Sequence, residues 1–235
     1  MSFASQMLIK LLQVSGMKGK LARGSQKTFE EAVSYNRKHP FVMPEDHKAI
    51  YEQINIRTGF GVYPCLKISQ PDSCRDRAVL FTWGGGGLLN AWKSQLGMAV
   101  RLGRDAKVPV YYPIYPLATE HSLLDTMEML EDGDAMVSAS FVYSFESISE
   151  HWGKYPDWVQ HPTVGNYQGL KQIRFYYASN DTLAFAVPSF KKVMGEQNVD
   201  ASFYLRDHMF HAFPVYPVCR EFREAYRDIL AYLRR

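Results

Sequence analysis

Four consecutive glycines, Gly84 to Gly87, follow the apolar run Ala78-Val79-Leu80-Phe81-Thr82-Trp83. A backbone without Cβ atoms can approach a ligand that any other residue would hold off. Peptide N–H groups in such a loop can point at a developing oxyanion or at a phosphate. The phosphate reading is the weaker one, because no Gly-Lys-Ser or Gly-Lys-Thr follows and Gly59-x-Gly61 lacks a third glycine. A strand-to-helix turn without a ligand is the plain alternative. Other reactive side chains are less well placed. Ser138, Ser140, Ser144, Ser147 and Ser149 cluster without the flanking glycines of a strained nucleophile turn, and each reads as a cap or surface hydroxyl. Asp207-His208-x-x-His211 lacks a convincing third ligand, so neither a metal nor a cofactor is expected. Cys65, Cys74 and Cys219 are odd in number and suit reduced thiols of a cytoplasmic protein better than a disulfide framework.

The elements that must position these groups follow from hydrophobic periodicity. Gly61 to Ser69, Ala78 to Trp83 and Val108 to Tyr115 read as strands. Between the last two, Trp92, Leu96, Ala99, Val100 and Leu102 line one side of a helix, which makes a strand, helix, strand unit with parallel pairing. Gln172 to Ser179 and Ala201 to Arg206 are further strands, with a helix at Ser189 to Glu196 between them. Val218, Phe222, Ala225, Ile229 and Leu233 keep a period near 3.6 in a closing helix. The first sixty residues read as helical. Met1 to Leu12 forms an amphipathic lid or surface helix, Thr28 and Glu31 have capping-box spacing, and Pro44 heads a helix over Glu45 to Tyr51. The pattern is that of an α/β protein with a mostly parallel sheet flanked by helices.

With 235 residues, 46% of them hydrophobic, the chain suits a single domain, 1–235. The formal charge of +3 comes from dispersed Lys and Arg, which argues against nucleic acid as a partner. No stretch approaches the roughly 18 apolar residues of a stable membrane span. A homo-oligomer is left open.

Four segments together carry a family resemblance. Trp83-Gly84-Gly85-Gly86-Gly87 resembles the His-Gly-Gly-Gly segment of hormone-sensitive-lipase-like α/β-hydrolases. Tyr111-Tyr112-Pro113-Ile114-Tyr115-Pro116-Leu117-Ala118-Thr119-Glu120-His121 resembles that family's Tyr-Arg-Leu-Ala-Pro-Glu-His stretch. Tyr177-Ala178-Ser179-Asn180-Asp181-Thr182-Leu183 resembles its acid turn, and His208-Met209-Phe210-His211-Ala212-Phe213 its histidine turn. They occur in family order. The resemblance implies an α/β-hydrolase-like fold and a small carboxylic ester as substrate or ligand. It also implies that His211 shuttles a proton, that Asp181 orients it, and that Gly84, Gly85 and Gly86 bind the oxyanion or substrate. Considered alone, without the other segments, Asp181 reads as the cap of the following helix and His211 as a satisfied loop histidine; the four segments together reverse that reading.

Two departures stand against the pattern. Trp83 replaces the first histidine, although the loop's amides could donate whatever that side chain is. No Gly-x-Ser-x-Gly occurs anywhere in the chain. Between Leu130 and Glu131, where the family places a strand, the nucleophile elbow and another strand, the chain passes directly from the expected helix Leu123 to Leu130 into a cap-like segment. The missing material corresponds to roughly 40 to 70 residues. The expected consequences are a deleted central elbow strand and following strand, with the remaining strands closing across the gap. Residues 1–55 become a helical cap segment and 131–165 a residual cap or connector. Ester hydrolysis is then weak or absent, and a non-catalytic binding protein or internally truncated remnant is the alternative.

Overall fold

The computed structural model describes residues 2–14, 25–44, 49–57, 61–85, 88–117, 162–179, 181, 184, 186–215, 217 and 219–235. In chain order the elements are α1 (Phe3–Val14), α2 (Ser25–Lys38), β1 (Ile50–Arg57), β2 (Val62–Ser69), β3 (Val79–Leu80), α3 (Lys93–Ala106), β4 (Val110–Pro113), β5 (Ile173–Ala178), α4 (Val187–Glu196), β6 (Ala201–Arg206) and α5 (Arg220–Leu233). They fall into two compact units. The histidine unit is Met1–Arg23 with Ser138–Ile229, and the glycine-loop unit is Gly24–Val137 with Leu230–Arg235.

In the glycine-loop unit four strands form a mixed sheet in the order β1-β2-β4-β3. β1 and β2 pair antiparallel from Ile50 opposite Ser69 to Arg57 opposite Val62, β2 pairs antiparallel with β4, and β4 runs parallel to β3. Leu66, Ile68, Val110 and Tyr112 are buried against Leu96, Ala99 and Val100 of α3. Burial of each such side chain contributes about 1.5–3 kcal/mol. Gly103 lets the helix close on the sheet: a Cβ there would lie 3.0 Å from Val110 Cγ2 and 3.1 Å from the Val108 carbonyl oxygen. α3 then ends on Lys107, whose φ of 57° turns the chain out of the helix and into β4.

In the histidine unit β5 and β6 pair in parallel, from Ile173 beside Ala201 to Ala178 beside Arg206. The period-two alternation of a strand sends Phe175 and Tyr176 to opposite faces. On one face Phe175 stacks on Phe203 at 4.7 Å between ring centroids and meets Phe190 of α4 at 5.3 Å. On the other, Tyr176 stacks on Tyr204 at 5.0 Å and donates to Asp228 of α5, which also accepts two bonds from Arg174 at 2.9 and 3.0 Å. The strand pair thus has a helix on each face, the layering of an α/β fold. α1 is tied to the start of α5 by Glu221. The Ser2 N–H, the Ser2 hydroxyl and the Ser5 hydroxyl donate to its carboxylate at 2.7, 2.9 and 2.7 Å. Burial pushes the Glu221 carboxyl up, but the Ser5 bond and backbone donors outweigh it and hold the group at about 2.

Most expected elements are present, and three differ. α2 begins at Ser25, so Thr28 sits inside the helix and not at its cap. Ile50 and Tyr51, expected in a helix after Pro44, open β1, because the whole segment Ile50–Arg57 pairs with β2. Residues 45–48 of that expected helix lie outside the described residues. β3 is only two residues long, although the Phe81 N–H still reaches the Tyr111 carbonyl at 2.8 Å. Among the described residues the strands form one four-stranded and one two-stranded sheet, one in each unit. The helix Leu123 to Leu130 and nearly all of 131–165 lie outside the described residues, apart from a short turn of 3-10 helix at Pro162–Val164.

Candidate active site

The acid and the histidine emerge from neighbouring strands. Beyond β5 the ladder extends by one bond, from the Ser179 N–H to the Arg206 carbonyl at 3.2 Å, and the chain then turns with the Asp181 N–H on the Ala178 carbonyl at 3.1 Å. Beyond β6 the His208 N–H donates to the Ser179 hydroxyl at 2.7 Å, which ties the second loop to the first. His208 and Ala212 hold left-handed φ values of 61° and 55°. Met209 and Phe213 are buried on either side of His211 and pin that loop.

The acid and the histidine meet side chain to side chain. His211 Nδ1 lies 3.1 Å from both Oδ1 and Oδ2 of Asp181. The carboxylate side chain is 8% exposed and the imidazole 45% exposed, so the acid is enclosed while the histidine keeps an open edge. A carboxylate on Nδ1 favours the tautomer protonated there, which leaves Nε2 free to accept a proton. Asp181 thus reaches the histidine through both of its carboxylate oxygens.

The glycine loop is built by satisfying carbonyls. Trp83, 5% exposed, stacks on Tyr115 at 4.1 Å and donates from Nε1 to the Pro113 carbonyl at 2.7 Å. The Tyr115 hydroxyl donates to the Trp83 carbonyl, and burial pushes that phenol up, so it stays a neutral donor. Gln95 Nε2 donates to the Gly84 carbonyl at 2.6 Å, while Gln95 Oε1 accepts the Trp92 N–H at 2.9 Å at the start of α3. The Gly85 carbonyl accepts the N–H groups of Leu88 and Leu89 at 3.2 and 3.1 Å. Asn36 of α2 closes the loop, donating to the Leu88 carbonyl at 2.6 Å and accepting the Asn90 N–H at 2.9 Å.

In a trans peptide the N–H points opposite to the carbonyl of the preceding residue. With the Trp83 carbonyl turned to Tyr115 and the Gly84 carbonyl turned to Gln95, the Gly84 and Gly85 N–H groups point away from those partners. Among the described residues no acceptor faces either amide. A Cβ on Gly85 would lie 2.8 Å from the Leu89 carbonyl oxygen, so this turn admits only glycine without a shift. Gly86 and the five clustered serines lie outside the described residues. Tyr115, Gln95 and Asn36 hold the loop. The spacing of Gln95 from the residue before the helix was the one signal that could have identified a holder from sequence. Cys65 and Cys219 are buried, and burial pushes the Cys65 thiol up to about 11, away from nucleophile chemistry.

No family model matches the sequence, and no curated protein matches it. Solved structures do match. A hyperthermophilic esterase from the archaeon Pyrobaculum calidifontis superposes with a TM-score of 0.72 at 15% identity, over 97% of each chain. A variant of the esterase rPPE gives 0.72 at 11% identity over 99% of this chain and 96% of that one. An esterase of the bacterial hormone-sensitive lipase family gives 0.63 at 16% identity, over 92% of this chain and 95% of the other. At these identities the likeness is one of fold.

Proposed function

From a fold shared with α/β-hydrolase esterases, we propose that this chain is a carboxylic-ester-hydrolase relative that retains a proton-shuttling pair and an oxyanion-type loop but lacks the attacking serine. Its ligand class is small carboxylic esters, and ester turnover is weak or absent. The observation that carries this reading is His211 Nδ1 at 3.1 Å from both oxygens of an enclosed Asp181, in a chain without Gly-x-Ser-x-Gly.

The chemistry follows from what each group can do alone. Asp181 fixes the ring of His211 and stabilises its positive charge, so Nε2 can take and return a proton. The Gly84 and Gly85 amides supply donors of the kind that stabilise a tetrahedral oxyanion. In a chain without a Gly-x-Ser-x-Gly elbow, the remaining route in this reading is attack by water. Triad enzymes stripped of a catalytic residue retain roughly 10³ to 10⁴ over the uncatalysed rate. Non-catalytic binding of an ester or acyl ligand is the second reading, favoured by the same missing motif.

A fluorophosphonate probe, with mass-spectrometric mapping and circular dichroism on the same sample, tests the proposal. The expected result is a folded, unlabelled protein. Labelling of one serine between 138 and 149, abolished by His211→Ala, would replace the proposal with a working serine hydrolase whose nucleophile has moved.

A further inference from the structure

α1 carries an apolar stripe on the side away from its anchor. Toward the protein, Ser5 is fully buried and bonded to Glu221. Away from it, Phe3, Met7 and Leu11 are 78%, 48% and 62% exposed. Their spacing of four residues places all three within an arc of about 80°, with Ser5 on the far side. An apolar stripe left in solvent on one face of a helix marks a surface that takes a partner.

Charge says what covers it. The helix Phe3–Val14 contains no acidic residue, and its single charge, the exposed Lys10, flanks the stripe. The asymmetry extends through the sequence. Residues 1–28 include Lys10, Lys18, Lys20, Arg23 and Lys27 and no Asp or Glu, a net +5. Because the whole chain carries +3, the remaining residues carry −2. An apolar stripe on a helix whose surroundings in sequence are entirely basic matches the chemistry of an anionic lipid surface, where apolar side chains enter the acyl boundary and cations meet headgroups. A protein partner would require only the stripe.

We propose that α1 is an interfacial helix that seats the protein on anionic membranes through Phe3, Met7 and Leu11. The helix lies on the surface and does not cross it, and no described helix is long and apolar enough to span a bilayer. This inference is independent of the ester reading. It needs no residue of the Asp181–His211 pair or of the glycine loop.

Cosedimentation with vesicles of phosphatidylcholine alone, and with about 30% phosphatidylserine added, tests it. The expected result is binding to the phosphatidylserine vesicles that weakens with added salt and falls roughly tenfold or more in Phe3→Ser/Met7→Ser/Leu11→Ser. That variant keeps the wild-type melting transition, because it removes exposed groups and leaves the Ser5–Glu221 anchor intact. Should it fail to melt cooperatively, Phe3→Ser alone, at the most exposed position, must weaken binding in the same direction. Equal binding to both vesicle types, or none by the wild type, overturns the proposal. So does a dimer seen by light scattering that the triple change converts to monomer while vesicles stay unbound, since the stripe then belongs to a second copy.

Discussion

The glycine loop and the acid–histidine pair are held by different means. The glycines of the loop have no side chains to anchor them, so carbonyls along the loop are gathered by Tyr115, Gln95 and Asn36, residues from three separate parts of the chain. The pair rides on a parallel ladder, and its two loops need only a serine hydroxyl, a tight turn and two left-handed residues to bring carboxylate and imidazole together. Donors made of backbone must be oriented from outside, through their carbonyls. Donors and acceptors made of side chains can be delivered by the strands that bear them.

If the loop depends on packing around its glycines, removing the buried Trp83 that leads into them should have the largest effect. Trp83→Ala deletes the Tyr115 stack and the bond to Pro113 together, and is expected to cost about 3–5 kcal/mol in a urea titration. A cost below about 1 kcal/mol would mean that the loop is held without it. The histidine unit offers a contrast governed by pH. The folded-state value of Glu221, about 2, lies below its ordinary 4.5. Its stabilisation is therefore fully present above pH 4.5 and is lost as the pH falls from there toward 2, by up to about 3 kcal/mol. Glu221→Gln should flatten that part of the acid-unfolding curve, and an unchanged curve would assign acid sensitivity to other groups. The smallest effect is expected at Gly85→Ala, where the added methyl meets the Leu89 carbonyl. A loss of about 1–2 kcal/mol, read as a lowered melting temperature, would confirm that the turn is set by close backbone approach.

The open sheet elements were legible because short runs of aromatic and branched residues mark them. β6 appears with the boundaries that periodicity suggested, β2 and β5 come within one residue of them at each end, and α3 and α5 show the apolar stripes read from Leu96 to Leu102 and from Phe222 to Leu233. β1 was not legible as a strand. Pro44 and the charged residues after it favour a helix locally, and only pairing with β2 over eight residues decides for the hairpin.

The sequence by itself determined the order of the chemical segments, the glycines of the loop, the presence of Asp181 and His211, the absence of Gly-x-Ser-x-Gly, and the lack of any Asp or Glu in residues 1–28. These are properties of composition and spacing, which exist before the chain folds. Only the tertiary structure decided that Asp181 meets His211, that Trp83 serves as a buried strut, that Gln95 turns the Gly84 carbonyl, and that Phe3, Met7 and Leu11 stay outside while Ser5 goes in. Each of those depends on contacts between residues that are distant in sequence or on which side of a helix finds a partner. Local preference cannot specify such outcomes, because their free energy exists only once the surfaces meet.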